Sequence, residues 1–344
     1  MRKTVLLVLM VLMIFSLLSC GGKKAAPSEA GATAAAAPKQ TFTLRFGHVL
    51  SPNDLPHKHM EEWAENVRKL TDGGLNIEIF PSAQLGSEED VLEQIRQGAN
   101  IGWQTDFARL GSYIRELSVP NASYFVNDLD EAIKLLDSPT IKRLNAELAE
   151  KFGLAHISFI WAQGPRNVFA NKIIKSPDDM KGLLIRTAPA PIWRESINAL
   201  GCTATPLPYG EIYTGISSKV VDGAELGFSA GYNMKLAEVV KYVMETGHIF
   251  LMNSMVVSKT WLDKLPADYQ KILIDECNKA GLNSSRAHIK TNEEAKQELI
   301  KAGVTVITRD QLDYDAFVKA SSQAYEALDL ANIRAAIYAD IGKK

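Results

Sequence analysis

Three stretches of the chain hold residue types and spacings that could do chemistry. In the first, Met180 to Glu225, a single arginine, Arg186, closes the short apolar run Leu183-Leu184-Ile185. Pro189 and Pro191 follow; each lacks a backbone donor and restricts the residue before it, so a strand ending at Arg186 gives way to a loop. A helical pattern then begins at Ile192 and Trp193 and stops at Gly201. In open α/β sheets, ligands bind in the crevice at the carboxyl ends of the strands. A guanidinium placed there presents a planar fork of donors that matches a carboxylate. The chemistry indicated is capture of an anion, with a structural pair to Asp179 or Glu225 as the alternative use of the charge.

The second stretch, Gly227-Phe228-Ser229-Ala230-Gly231, fits G-x-S-x-G, the strand-to-helix elbow that exposes a nucleophilic serine in α/β-hydrolases. A triad in chain order would draw on Asp263 and His288, which makes an esterase the competing class of function. Against it, His288 falls inside a long helical pattern and no HGGG-like oxyanion segment precedes the serine. The third is His57 and His59 with Glu61 and Glu62 at a helix start. It lacks the spacing of HExxH, CxxC or an EF-hand loop and reads as a solvated helix face, so no metal ligand is assigned. Neither a G-x-G-x-x-G nor a P-loop occurs, so no nucleotide or other cofactor is expected.

The elements that must position these residues follow from periodicity. Thr41 to His48 and Leu75 to Phe80 alternate as strands, with a helix from about His57 to Leu70 between them and an acidic-fronted helix over Ser87–Gly98 after them. A third strand near Ile101 to Gln104 runs out into Thr105-Asp106-Phe107. Helices near 128–136 and 139–152 lead to a strand from His156 to Trp161. From about Gly164 the β and α segments start afresh. This β-α-β-α order predicts a mostly parallel sheet covered by helices. Pro266 to about Ala302 is an almost unbroken helical pattern, far longer than the usual dozen residues or so. Gly281 is its weak point, and a C-terminal amphipathic helix is expected to pack on the second half of the molecule.

The motifs KGLLIR, ALG, TPLPYGEIYTGI and VVDGAE resemble the signature of the extracytoplasmic solute-binding subunits of TRAP transporters (tripartite ATP-independent periplasmic transporters, DctP type). LRFGH near 45, FPSAQLGSEEDVLEQIRQGA near 85 and TGHIFLMNSMVVSK near 250 fall in that family's order and spacing. The resemblance implies an α/β, two-lobed, periplasmic-binding-protein-like (type II-like) fold with mostly parallel sheets and a long lobe-spanning helix. Lobe I would be 41–163 plus about 252–291, and lobe II 164–251 plus about 292–344. It also implies a small-molecule organic acid as ligand and a membrane permease of small and large subunits as partner. A receptor that signals the same solute to a sensor would share these features.

By the same resemblance, Arg186 matches the family's carboxylate-binding arginine, and Arg166 a second arginine that clamps the ligand or bridges the lobes. Asp106 falls where some relatives turn a carboxylate toward the pocket, and Tyr209 replaces a usual phenylalanine of the pocket wall. Leu226 stands where sugar-acid-binding relatives commonly carry asparagine or tryptophan (E-N-P or E-W-P), and Val49 where they often carry asparagine. With Phe107, Trp193, Trp103 and Trp161 near strand ends, this suggests a monocarboxylate with an apolar or aromatic body.

Arg2 and Lys3 precede an apolar run from Val5 to Leu18, the make-up of a signal peptide. Leu17-Leu18-Ser19-Cys20 resembles a bacterial lipobox, so residues 1–20 are expected to be a lipoprotein signal peptide with lipidation at Cys20. That places the protein outside the cytoplasm, anchored to a membrane. Residues 21–40 lack aromatic and branched aliphatic side chains and read as a flexible tether. A formal net charge of −2 argues against nucleic acid as a partner. Cys202 and Cys277 are expected to be buried thiols, with a disulfide as the alternative.

Overall fold

The computed structural model describes residues 40–343, so the signal peptide, Cys20 and nearly all of the tether lie outside the described residues. The chain opens with β1 (Phe42–Gly47), α1 (Leu55–Leu70), β2 (Leu75–Phe80), α2 (Glu88–Arg96), β3 (Ile101–Asp106) and α3 (Phe107–Leu110). α4 (Leu129–Lys134) and α5 (Pro139–Phe152) lead into β4 (Leu154–Ala170). β5 (Leu184–Thr187), α6 (Pro191–Ala199), β6 (Thr203–Pro206), α7 (Ile212–Ser217), β7 (Gly223–Leu226) and α8 (Phe228–Asn233) follow. The chain ends with β8 (Tyr242–Ser258), α9 (Lys259–Leu262), α10 (Ala267–Lys301), β9 (Thr305–Ile307), α11 (Tyr314–Ala327) and α12 (Ala331–Asp340).

One mixed sheet runs β2-β1-β3-β8-β4-β7-β5-β6, with β9 beside β8. The outer strands of each lobe pair in parallel, as the βα repeats require, and the two long strands β4 and β8 join the lobes as an antiparallel ladder. The first half of β4 and the second half of β8 belong to lobe I, where β8 meets β3. Their other halves belong to lobe II, where β4 meets β7 and β8 meets β9. Between the halves the register slips repeatedly, at 156/158, 158/161, 162/164 and 166/168. Bulges of this kind bend and twist a strand, here where one lobe passes into the next. Gly164 sits at one of them with φ +79°, a conformation open to glycine without strain.

α10 spans both lobes. Its first half gives Tyr269, Leu273, Cys277 and Ala280 to the core of lobe I, built with Leu44, Phe46, Trp63 and Trp161. Its second half gives Ala295 and Leu299 to the core of lobe II, with Phe169, Leu226 and Phe228. Between these the helix is fastened to the bulged part of β4. The Ala162 N–H donates to Ser285 Oγ (2.7 Å), that hydroxyl lies 2.8 Å from Ile160 O, and Asn292 Nδ2 donates to Gln163 O (2.8 Å). At Gly281 an added Cβ would stand 2.6 Å from Trp161 Nε1, so glycine is what permits helix and indole to touch.

The C-terminal amphipathic segment is two helices. α11 packs on α6 in lobe II as expected, but the chain turns at Asp329 (φ +51°) and α12 returns to α5 in lobe I. There Ile337 and Ile341 join Leu144 and Leu148 in one core, and Asp340 accepts from Ser138 Oγ and the Thr140 N–H. Cys202 and Cys277 are buried free thiols. No helix among the described residues is long and apolar enough to cross a membrane.

Candidate ligand-binding site

Arg186 is the third residue of β5, and its side chain is 1 % exposed. The prolines after it end the strand and start α6, with Pro191 at the first helical position. Its Nε and Nη2 both donate to the Leu207 carbonyl (2.9 and 2.7 Å). No carboxylate of the described residues forms an ion pair with it. Asp179 is bonded to Lys175 N and Ser176 N, and Glu225 is bonded to Arg166 and Thr187. Burial pulls the Arg186 guanidinium down to about 9, with Glu225 pulling it up and Arg166 and Arg109 pushing it further down. A buried cation with only a carbonyl for company lacks a counter-ion.

Arg186 lines a cavity between the lobes whose volume is about 690 Å3, counting the part open to solvent. Lobe I contributes Val49 and Leu50 after β1, Glu88 at the start of α2, Gln104 to Asp106 on β3, and Arg109 on α3. The hinge strands contribute Gln163, Gly164, Arg166, Leu251 and Asn253, and α10 contributes His288. Lobe II adds Arg186, Ala188, Trp193, Tyr209, Gly227 and Ala230. Arg186, Arg166, Tyr209, Asp106, Trp193 and Val49 therefore share one cavity.

Leu226 and Phe107 do not line it. Leu226 is fully buried in the core of lobe II, and Phe107 meets His156 and Phe159 edge-on in the core of lobe I. Each is one residue out of phase with a strand-end residue that does face the cavity, Gly227 and Asp106. Trp103 and Trp161 are also core, which leaves Trp193 as the tryptophan of the wall.

The other two arginines are held by protein acids. Arg166 Nη2 donates to Glu225 Oε1 (2.9 Å) and to the Glu225 carbonyl (2.6 Å), and its Nε donates to Glu225 Oε2. Burial would raise the Glu225 carboxyl, but the Arg166 guanidinium outweighs it and holds it below the usual carboxylate range. Arg109 pairs with Asp106 and, at 3.2 Å, with Glu88. Burial pushes the Glu88 carboxyl up to about 7 against the pull of Arg109. Both guanidiniums lie over Trp193, 5.5 Å (Arg109) and 5.3 Å (Arg166) from a ring centroid, and the indole N–H is fixed on Asn121 O at 2.9 Å.

Gln104, Glu88, Arg109 and Asn253 escaped the sequence reading, and His288 was weighed only as part of a hydrolase triad. The Asp106-to-Arg109 spacing of three at a helix start was the one available signal. Gln104 Nε2 and His288 Nδ1 are buried without a hydrogen-bond partner. Burial lowers the His288 ring to about 4, and no carboxylate acts on it. The strand–turn–helix around Ser229 is present, but the Ser229 N–H is bonded to Asn292 and Asp263 is tied to Lys259, so no triad is assembled. His57 is bonded to His48 (3.0 Å) and Glu61, and His59 to Glu62.

A two-lobed α/β chain with an arginine that no acid pairs in an interlobe cavity and one helix through both cores matches, over residues 46–330, the family described as bacterial extracellular solute-binding protein, family 7. The chain belongs to this family. It is 29 % identical over 279 residues to the 2,3-diketo-L-gulonate-binding periplasmic protein of Escherichia coli (strain K12), covering 80 % of this chain and 83 % of that one. The TRAP periplasmic solute-binding protein of Desulfovibrio salexigens, solved in complex with diglycerolphosphate, superposes with a TM-score of 0.82 at 31 % identity, covering 88 % of this chain and 97 % of that one. The one from Ochrobacterium anthropi, solved with L-fuconate, gives 0.81 at 26 %, covering 88 % and 99 %. This chain is thus a TRAP-type solute-binding receptor, an extracytoplasmic transport class and not an enzyme class.

Proposed function

We propose that this receptor captures an organic acid by closing its lobes and delivers it to a TRAP permease of small and large membrane subunits. The observation that carries the reading is Arg186, the one buried guanidinium of the cavity whose charge no protein acid neutralises. Arg166 and Arg109 are paired with Glu225, Asp106 and Glu88, which leaves Arg186 as the cation open to one carboxylate. That favours a monocarboxylate. The names of the relatives support anions of this size: a diketogulonate, a fuconate and a diglycerolphosphate.

The ligand body we infer is apolar where it meets Val49, Leu50, Leu251 and Trp193. The buried unpartnered Gln104 amide and His288 ring call for at least one oxygen on the opposite side. A wholly aromatic body would leave both groups unsatisfied. Mass spectrometry of the small molecule that copurifies with residues 41–344, followed by a thermal-shift panel of hydroxy and 2-oxo monocarboxylates against uronates and dicarboxylates, tests this. Stabilisation by uronates alone would remove the apolar wall from the account, and stabilisation by dicarboxylates alone would remove the charge count. We also infer tethering through Cys20; full-length Cys20→Ala should then leave the membrane fraction, and its retention there would refute the anchor.

A further inference from the structure

We propose that Asp54 and Asn233 form the latch that holds the receptor closed, and so set how long a bound acid stays. The inference rests on the reading of the cavity as the ligand site. Asp54 precedes α1 in lobe I, and Asn233 ends α8 in lobe II. The Asn233 Nδ2 amide donates to Asp54 Oδ1, directly across the cleft. The acceptor is fixed from behind, since the Ser51 N–H donates to Asp54 Oδ2 at 2.7 Å. The pair stands in a smaller opening that shares Val49 and Tyr209 with the ligand cavity, and Ser82, Gly210 and Met234 complete the opening. Val49 and Tyr209 thus have the cavity on one side and the latch on the other. Neither Asp54 nor Asn233 lines the ligand cavity, so both act on the ligand only through the position of the lobes.

The contact joins two surfaces that meet only when the cleft is shut, unlike the bonds of α10 to β4, which lie at the hinge. A single hydrogen bond to a charged acceptor at a half-exposed rim should change the closed population by roughly five- to tenfold. Replacing Asn233 by aspartate would set two carboxylates face to face. Their repulsion raises the pKa of one of them, and protonating it restores a hydrogen bond. Burial raises the Asp54 carboxyl against the pull of the Ser51 N–H, Asn233 and His57, and the other titratable groups of the opening are Tyr209 and Tyr213.

The test compares wild type with Asn233→Ala and Asn233→Asp. With the acid that copurifies, stopped-flow dissociation should be roughly five- to tenfold faster in Asn233→Ala. In Asn233→Asp it should be faster still at pH 8 and return toward wild type at pH 5. A second arm needs no ligand: spin labels at Lys58→Cys on α1 and Ser217→Cys on α7 report the interlobe distance in an Arg186→Met background, where no buried cation opposes closure. The short-distance population should fall in Asn233→Ala and become pH-dependent in Asn233→Asp. Distances and off-rates equal to wild type at both pH values would overturn the latch. Absence of any binding acid, with the distances changing as described, would instead count against the function proposed above.

Discussion

Arg186 should cost the protein stability in the absence of ligand, and removing it should make the ligand-free receptor more stable while abolishing capture. The depression from 12.5 to about 9 amounts to a penalty on the order of 5 kcal/mol on the charged form, at about 1.4 kcal/mol per tenfold. The guanidinium is charged at neutral pH folded and unfolded alike, so the whole penalty falls on the folded state. Arg186→Met keeps most of the length and removes the charge. It also forfeits the two bonds to Leu207 O and leaves that carbonyl unpaired, a loss of about 2 kcal/mol. The balance is a gain of about 3 kcal/mol, or several degrees in Tm for a chain of this size. Binding of a carboxylate should weaken at least a hundredfold, about 2.7 kcal/mol, because a charge-assisted pair is lost. Calorimetry with and without the copurified acid reads both numbers. A variant that melts lower than wild type and still shows the full ligand-induced shift would refute the account of a cation waiting for its counter-ion.

Two further expectations concern pH. The Glu88 carboxyl is raised to about 7 from 4.5, so the stability it contributes is present below pH 4.5 and is lost as pH rises through 7. Glu88→Gln should therefore melt higher than wild type at pH 8, with the gap closing by pH 5; a gap that is equal or wider at pH 5 would contradict the sign. His48 and His156, lowered by burial to about 3, and His248 and His288, lowered to about 4, are neutral inside the fold. Their stability is complete above the ordinary histidine value of 6.5 and is lost as pH falls below it, each by on the order of 3 kcal/mol at pH 4. Urea melts at pH 7, 5.5 and 4.5 should show a steep decline, and a flat profile would mean these rings charge without unfolding.

Much of this was legible because the signals were local. Arg186 was marked by the prolines that follow it, and the 35-residue α10 by a helical pattern without proline. Strand β4 was read in two pieces, His156 to Trp161 and a fresh start from about Gly164, because Gly164-Pro165 looks like a chain breaker. In the fold it is an irregularity within one continuous 17-residue strand paired to β8, a second strand of the same length. Strand-end side chains were the least readable. Alternation has a period of two, so an error of one residue moves a side chain from cavity to core, and this separates Leu226 from Gly227 and Phe107 from Asp106. Gln104 was hidden because β3 is buried on both faces, so a polar residue in it carries no sign of which face it occupies, and Glu88 because an acidic residue in the first turn of α2 reads as a partner of the helix dipole. The pairing of Arg166 with Glu225 joins β4 to β7 across 59 residues and could come only from the assembled sheet.

Closure conditional on an anion follows from setting these terms against one another. Closing brings lobe I with Arg109 over Arg186, so part of its penalty opposes closing without a ligand. The latch between Asp54 and Asn233, worth about 1 kcal/mol at a part-buried rim, is too weak to offset it. A carboxylate that enters beside Arg186 removes the penalty and adds a charge-assisted pair, and the same weak latch then suffices to tip the balance. A neutral solute of the same shape would gain the contacts with Val49, Leu251 and Trp193 but leave the cation uncompensated. Ligand shifts a two-state equilibrium only by its differential affinity for the two states, and here that difference resides mainly in one charge. α10 gives the motion its limits, because Ser285 and Asn292 hold the helix to β4 at the bulges while its two ends stay embedded in separate cores. The lobes can therefore rotate about that fastening without either core coming apart.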